Sequence, residues 1–451
     1  MIIEDTLANG DETNAERQLD PWRKPKTPVA VQFLEFIVQK IENHEMQCGL
    51  RKRKRKTNDL EIFSGVVSAV VSDLAVSALT EECRGFRLYR SNGKLKYSSR
   101  YRTPVTTKTL PHLLDLLSDP ALMLVEQDVG EGAPNAKGIQ TIIRPTSVFC
   151  EILSHHGLSA EDFAELEAIE PIELKGEKAF RDRSAPRVEY EDTEQTLRFR
   201  DEMGSINRQL EEADLAYIGP NPIDTNRRQL RRVFTRFNFR SGGRLYGGFW
   251  QPMQKAERLR YLRINCEPIV ELDYGQIMPR LVYSLAKAVP IMADLYAIPG
   301  FEGCRPGIKS LMSSMLFVER RMTKFPRGTR ELFPAKVRVS DVVDAVMAAH
   351  PEIAPFFFKG IGHRCQYFES QIMVEVLRII LGMKSIGGVA LPIHDAILVP
   401  ASAQRVATNV MTYTFRQRTG LEAAVDVLTS QDLVDPLPAA ACSTPVDTEG
   451  I

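Results

Sequence analysis

Two stretches, Ile269-Val-Glu-Leu-Asp-Tyr-Gly-Gln-Ile-Met-Pro-Arg280 and Val389-Ala-Leu-Pro-Ile-His-Asp-Ala-Ile-Leu-Val-Pro400, decide how this chain is read. In the first, an apolar run ends abruptly at Asp273 and passes through Tyr274-Gly275 into an amphipathic helix pattern. In the second, His394-Asp395 sits between two apolar runs, which reads as two strands meeting at a tight turn. A carboxylate at a strand end is well placed to hold a divalent cation, because hard cations take oxygen ligands. Alone, either aspartate also fits a turn or helix-cap residue. Together they point to two carboxylates converging on a pair of cations, the arrangement that stabilises both the attacking and the leaving oxygen in phosphoryl transfer.

Charge distribution adds a second signal. Between Arg227 and Arg263 there are eleven Lys or Arg residues and a single acid, Glu257. Aromatics are interleaved, among them Phe234, Phe237, Tyr246, Phe249 and Trp250. Cations neutralise phosphates and aromatic faces stack on bases, so this stretch, with Arg244, Tyr246 and Arg258, is expected to line a nucleic-acid or nucleotide surface. The plainer alternative is a basic hairpin whose aromatics belong to the core. Further on, Arg305 and Lys309 are four apart and share one helix face, with Phe317 two turns along it. Such a stripe offers two cations for a triphosphate and a ring for stacking; its plain alternative is a solvated surface helix.

In this order the motifs resemble the family A polymerase palm and the phage-type single-subunit RNA polymerases. Asp273-Tyr-Gly-Gln-Ile resembles the first catalytic motif, Asp-Tyr-Ser-Gln-Ile, and His394-Asp395 the last. Arg305-Pro-Gly-Ile-Lys309 is similar to the Arg-x-x-x-Lys of the fingers helix, Gly243-Arg244-Leu245 to the Gly-Arg element before the first motif, and Gln366 to a glutamine that touches primer or template. The resemblance spans Phe234 to Pro400. It implies two Mg²⁺, with Mn²⁺ as an alternative, held by Asp273, Asp395 and the Tyr274 carbonyl. It also implies a nucleotide site at Arg305, Lys309, Phe317, Met278 and Gln276, and nucleic-acid contacts at Arg244, Tyr246, Arg258, Gln366 and His394. Several positions depart from the pattern. Met278 stands where the DNA enzymes carry the Glu that excludes a 2′-hydroxyl, Phe317 lacks the usual tyrosine hydroxyl, Ser313 replaces a fingers aromatic, and Ala396 replaces an acid. Relaxed sugar choice is therefore expected.

The remainder sets the frame. The chain has 451 residues, 43% of them apolar, with Lys+Arg and Asp+Glu balanced at 58 each, so net charge argues for no particular partner. Seven scattered cysteines form no C-x-x-C pair, which disfavours a disulfide framework or a thiolate zinc site. The apolar run Phe63–Thr80 is broken by Ser64, Ser68, Ser72 and Asp73 and reads as a packed helix, so no membrane partner is expected and a cytoplasmic location is. Residues 1–58 read as a disordered or partly helical tail, with a helix from Pro28 to Asn43 capped by Thr27 and a basic run Arg51–Lys56 that is either a solvated linker or a hook for phosphates. Residues 59–165 read as a winged-helix-like α+β region, with a hairpin turn at Asn92-Gly93 and two strands around a loop at Gly132–Asn135. Residues 166–200 read as a charged linker, 201–437 as the palm and fingers, and 438–451 as a tail. The expected fold is thus α+β: a right-hand, polymerase-like palm with reduced fingers, preceded by a helical, winged-helix-like region. The expected activity is metal-dependent extension of a nucleic-acid 3′ end from nucleoside triphosphates, without a proofreading domain. The alternatives are a template-independent nucleotidyltransferase and a non-catalytic nucleic-acid-binding protein on a palm-like scaffold.

Overall fold

Thr27 and Pro28 open the first helix as the sequence predicts: the Thr27 side chain accepts from the Ala30 N–H, and Pro28 supplies a φ already suited to a first turn. The computed structural model describes residues 17–80, 85–90, 100–130, 139–165, 170–178, 185–220, 223–383 and 388–433. Its first part contains β1 (Arg17–Gln18), β2 (Arg23–Pro25), α1 (Pro28–Gln47), α2 (Thr57–Thr80), β3 (Phe86–Leu88), α3 (Thr109–Leu117), β4 (Val125–Asp128), β5 (Thr141–Pro145), α4 (Ser147–His155) and β6 (Phe163–Glu165). The second contains β7 (Ile172–Leu174), α5 (Glu194–Glu212), β8 (Leu215–Tyr217), β9 (Arg231–Thr235), β10 (Asn238–Tyr246), α6 (Lys255–Tyr261), β11 (Leu262–Ile264) and β12 (Glu267–Gly275). It continues with α7 (Ile277–Ala286), α8 (Arg305–Phe317), α9 (Val339–Ala349), α10 (Gly362–Gly382), β13 (Leu391–Ile393), β14 (Ala396–Pro400), α11 (Gln404–Thr419) and β15 (Ala424–Leu428). The architecture among the described residues is mixed α+β.

Two hydrophobic cores form. The first, from Ala30 to Phe163, packs α1, α2, α3 and α4 on a sheet ordered β1-β3-β5-β4. By length and composition α2 would cross a membrane, but its face from Phe63 to Val76 is buried in this core. β4 and β5 are antiparallel neighbours, as two strands around a loop should be. The Asn92-Gly93 turn, the Gly132–Asn135 loop and the 438–451 tail lie outside the described residues. The second core runs from Ile172 to Leu421 around α10, which packs on α5, α7, α8, α11 and β10.

Two expectations need correction. The stretch 166–200 is more than a linker: β7 pairs in parallel with β9, and α5, which begins within the stretch, buries Phe199 and, past its end, Met203, Ile206 and Leu210 in the second core. Its apolar anchors are spaced three or four apart, so they form a face beneath a charged exterior. The basic run is likewise not uniformly solvated. Arg55 is shut in, with Nη1 2.6 Å from Glu45 and its guanidinium 3.5 Å from the Phe63 ring centroid, while Lys52, Arg53, Lys54 and Lys56 stay exposed.

Ion pairs join the two parts. Asp73, fully buried in α2, takes Arg23 Nε at 2.9 Å, Arg17 Nη1 at 2.7 Å and the Asp20 N–H at 2.8 Å. Burial pushes its carboxyl up, but Arg17 and Arg23 more than offset this and hold it below the usual range. Arg23 also pairs with Asp224, and Asp20 with Arg227 at 3.1 Å, both beyond β8 in the second part. Nearby, the Tyr101 hydroxyl donates to the Val188 carbonyl and accepts from the Leu174 N–H, each at 3.0 Å. Arg23→Ala should cost about 3–5 kcal/mol in chemical denaturation, because it breaks buried pairs with both Asp73 and Asp224 and leaves Asp73 only Arg17 as a charged partner. Arg321→Ala, which breaks a half-exposed pair with Asp344, should cost less than about 1 kcal/mol. Equal losses would show that Arg23 does not carry the junction.

Candidate active site

β12 is the centre of its sheet. Ile269, Val270, Glu271 and Leu272 are all buried, as in a strand covered on both faces. Along one edge it pairs antiparallel with β14, Asp273 opposite Ala396; along the other it pairs with β15, Asp273 opposite Asp426. The strand ends at Gly275, where an added Cβ would lie 3.0 Å from the Asp426 carboxylate. Gln276, at φ 60°, then turns the chain into α7.

β13 and β14 form a hairpin in which Ile393 faces Ala396, leaving His394-Asp395 as the two-residue turn. His394 takes φ 56°, the left-handed region that tight hairpin turns need and that histidine enters more readily than most residues. The Tyr274 N–H donates to the Asp395 carbonyl at 3.2 Å, so the turn lies directly against the end of β12. Asp273 and Asp395 are thereby neighbours. Burial, then Asp395, raises the Asp273 carboxyl to about 7; Glu271 adds to the rise, while Lys255 and Lys309 oppose it. Asp273 Oδ1 is buried without a hydrogen-bond partner.

The cation stripe also forms. Arg305, Lys309, Ser313 and Phe317 lie on the open side of α8, while Ile308, Leu311, Met312 and Met315 face the core. Lys309 lies within electrostatic reach of Asp273 and partly offsets the rise in its carboxyl. Arg305 is engaged by Asp294, Nε to Oδ2 at 2.7 Å, and lies over Tyr296, 5.3 Å from its ring centroid. Gln276 holds the segment carrying Asp294: its amide accepts from the Leu295 N–H at 2.7 Å and donates to the Ala293 carbonyl. Phe317 is half-buried, flat against Gly362 and edge-on to His363, ring centroids 5.0 Å apart. Met278 is half-buried on the core.

The basic stretch fares differently. Much of its positive charge is paired with acids from elsewhere in the chain, some of them buried and some at the surface. Arg231 meets Glu173, Arg232 Glu202, Arg236 Glu319, and Arg244 Glu369. Phe234, Phe249 and Trp250 are core residues. Arg258 is buried, with its guanidinium bonded to the Met253 carbonyl and to Glu271. Gln366 is buried beside His363. Tyr246 stays partly exposed, its ring 5.4 Å from His394 and edge-on. Tyr274 is a core residue whose hydroxyl donates to the Met411 carbonyl at 2.7 Å. Burial, helped by Arg244 and opposed by Asp395, lowers His394 to about 4, so its imidazole is neutral at pH 7.

Three acids near this site lie outside the motifs. Glu369 grips Arg244, Asp294 grips Arg305, and Asp426 faces Asp273 across β15. Only Glu369 left a trace in the sequence, as an acid within the apolar periodicity around Gln366. Among the described residues no three His, Cys, Asp or Glu side chains cluster as a metal site, so a cation here would rest on the aspartate pair.

No family model matches the sequence, and no curated protein matches it. Among solved structures the chain is similar to the POL domain of Pol1 from M. smegmatis in complex with DNA primer-template and dNTP. The identity is 9% and the TM-score 0.32, over 88% of this chain and 80% of that one. At that distance the site's own geometry has to carry the functional reading.

The raised Asp273 carboxyl sets a sign for pH dependence. Between the ordinary 3.8 and about 7, the folded chain holds a proton that the unfolded chain has lost. Stability of the metal-free protein should therefore fall as pH rises through that window, with the full cost above it. Asp273→Asn should flatten this slope and raise the melting temperature by a few degrees at pH 8, with little change near pH 4. Parallel pH profiles for the two proteins would place the strain elsewhere.

Proposed function

We propose that this chain is a metal-dependent nucleotidyltransferase that extends a nucleic-acid 3′ end from nucleoside triphosphates. The observation that carries the reading is the meeting of Asp273 and Asp395, from distant parts of the chain, within electrostatic reach of Lys309. Side-by-side carboxylates are costly, and Asp273 Oδ1 has no hydrogen-bond partner. The donor set fits a hard cation: carboxylate oxygens with no competing partner, and further ligands left to water and substrate phosphates, as Mg²⁺ prefers. When bound, the metal would supply Lewis-acid stabilisation of the reacting oxygens.

In this reading the chain's own residues bind and orient. Asp273 and Asp395 hold the metal, and Lys309 neutralises the triphosphate. Arg305 joins it by leaving Asp294, a carboxylate already seated in the fork a phosphate would take. Phe317 lines the nucleotide site from Gly362, and Tyr246, His394 and Arg244 flank it beside β10.

The test is extension of a labelled primer–template with Mg²⁺ and either dNTPs or NTPs. Asp273→Asn and Asp395→Asn should each lower extension by about a thousandfold, the scale of losing several kcal/mol of metal-assisted stabilisation. Nucleic-acid binding should survive in both. Undiminished extension in either variant would remove the assigned roles, and binding without extension in wild type would favour the non-catalytic alternative. Competition between matched ribo- and deoxyribonucleotides reads the sugar choice. Flexible Met278 and hydroxyl-free Phe317 should admit both, and Met278→Glu should shift use toward dNTPs. Rejection of ribonucleotides by wild type at about a thousandfold would mean another residue is the gate.

A further inference from the structure

We propose that Glu369 is a positioning residue: its two-point grip keeps the Arg244 guanidinium off Asp395, leaving that carboxylate open to a divalent cation. The inference rests on the function proposed above. Glu369 lies in the buried interior of α10, and its two oxygens take Arg244 Nε at 2.6 Å and Nη2 at 2.8 Å. The backbone around Arg244 is built for this meeting. Gly243 sits at φ 87°, and an added Cβ there would lie 2.7 Å from Ser370 Oγ, so β10 approaches α10 more closely than a side chain would allow. The same strand is tied to the Asp395 hairpin. The Trp250 indole donates to the Pro392 carbonyl at 2.9 Å, Gln251 reaches that carbonyl and the Leu245 carbonyl, and the Tyr246 ring meets His394.

Arg244 is thus paired with one acid and lies within electrostatic reach of a second, Asp395. Asp395 adds to the stabilisation of its charge, after burial and Glu369, yet no ion pair joins Arg244 to Asp395 among the described residues. A guanidinium and a carboxylate so placed attract strongly, and a bidentate pair is among the strongest contacts a side chain makes. Without the Glu369 charge, Arg244 would be drawn to Asp395 and would fill the lone pairs a cation needs. Glu369 also cannot be replaced without consequence, because a buried guanidinium left unpaired seeks another acid.

The test is Mn²⁺ binding by electron paramagnetic resonance on the full chain, without substrate, with thermal melts alongside. Glu369→Gln should weaken Mn²⁺ binding about tenfold. Arg244→Met should bind Mn²⁺ at least as well as wild type, and the double variant should match Arg244→Met. Glu369→Asp, which keeps the charge but withdraws it by one methylene, should give a smaller loss that also vanishes with Arg244→Met. It serves as the test if the glutamine variant does not fold. A Glu369 variant that binds Mn²⁺ like wild type, or whose defect persists without Arg244, overturns the inference, since a purely structural role would act whether or not Arg244 is present. Wild type that binds Mn²⁺ and shows this pattern but extends no primer would overturn the proposed function alone. Wild type that binds no Mn²⁺ would overturn both.

Discussion

Strand β12 is bonded along both edges, and the candidate site depends on that pairing. β14 brings the His394-Asp395 turn to one side of Asp273, and β15 brings Asp426 to the other. Backbone hydrogen bonds are obligatory for buried strands, so they can hold two carboxylates closer than those side chains would settle by themselves. The strain appears as a raised Asp273 carboxyl and an oxygen without a partner. Displacement of either flanking strand would let the charges part and leave no organised site.

Around this pair the fold distributes compensating charge. Glu271, buried one turn of the pleat away, is met by Arg258 at 3.3 Å and Lys255 at 2.7 Å, and Glu369 by Arg244. Burial still leaves Glu369 raised above the ordinary carboxylate range despite Arg244, with Asp395 adding to the rise. Lys309 and the Asp294-paired Arg305 share the open side of α8. Carboxylates that favour a cation, within reach of a lysine that favours an anion, suit a metal-bound polyphosphate electrostatically.

The two hydrophobic cores meet through charged and hydroxyl groups. Arg23 and Asp73 are buried in the first part, and their network reaches Asp224 and Arg227 in the second. Such pairs add little net stability compared with apolar packing, but they penalise any arrangement that leaves a buried charge alone. The charged pairs thus favour one orientation of the two parts.

The motifs by themselves determined that Asp273 lies near the end of a strand, which closes two residues later at Gly275, that His394-Asp395 is a hairpin turn, and that Arg305, Lys309 and Phe317 share a face. These follow from short-range rules: the short apolar run, the two-residue turn and the i, i+4 spacing. The Thr27 cap and the buried α2 were legible for the same reason. Tertiary structure alone decided where charge goes. A basic stretch with one local acid became a set of internal pairs, because Glu173, Glu202, Glu319 and Glu369 arrive from remote positions and local counting cannot register them. The supposed linker joined the second core because β7 found β9, a pairing across distant sequence. Asp426, Asp294 and Glu369 entered the site in the same way. Local patterns fix which face a side chain occupies; only chain topology fixes what it meets there.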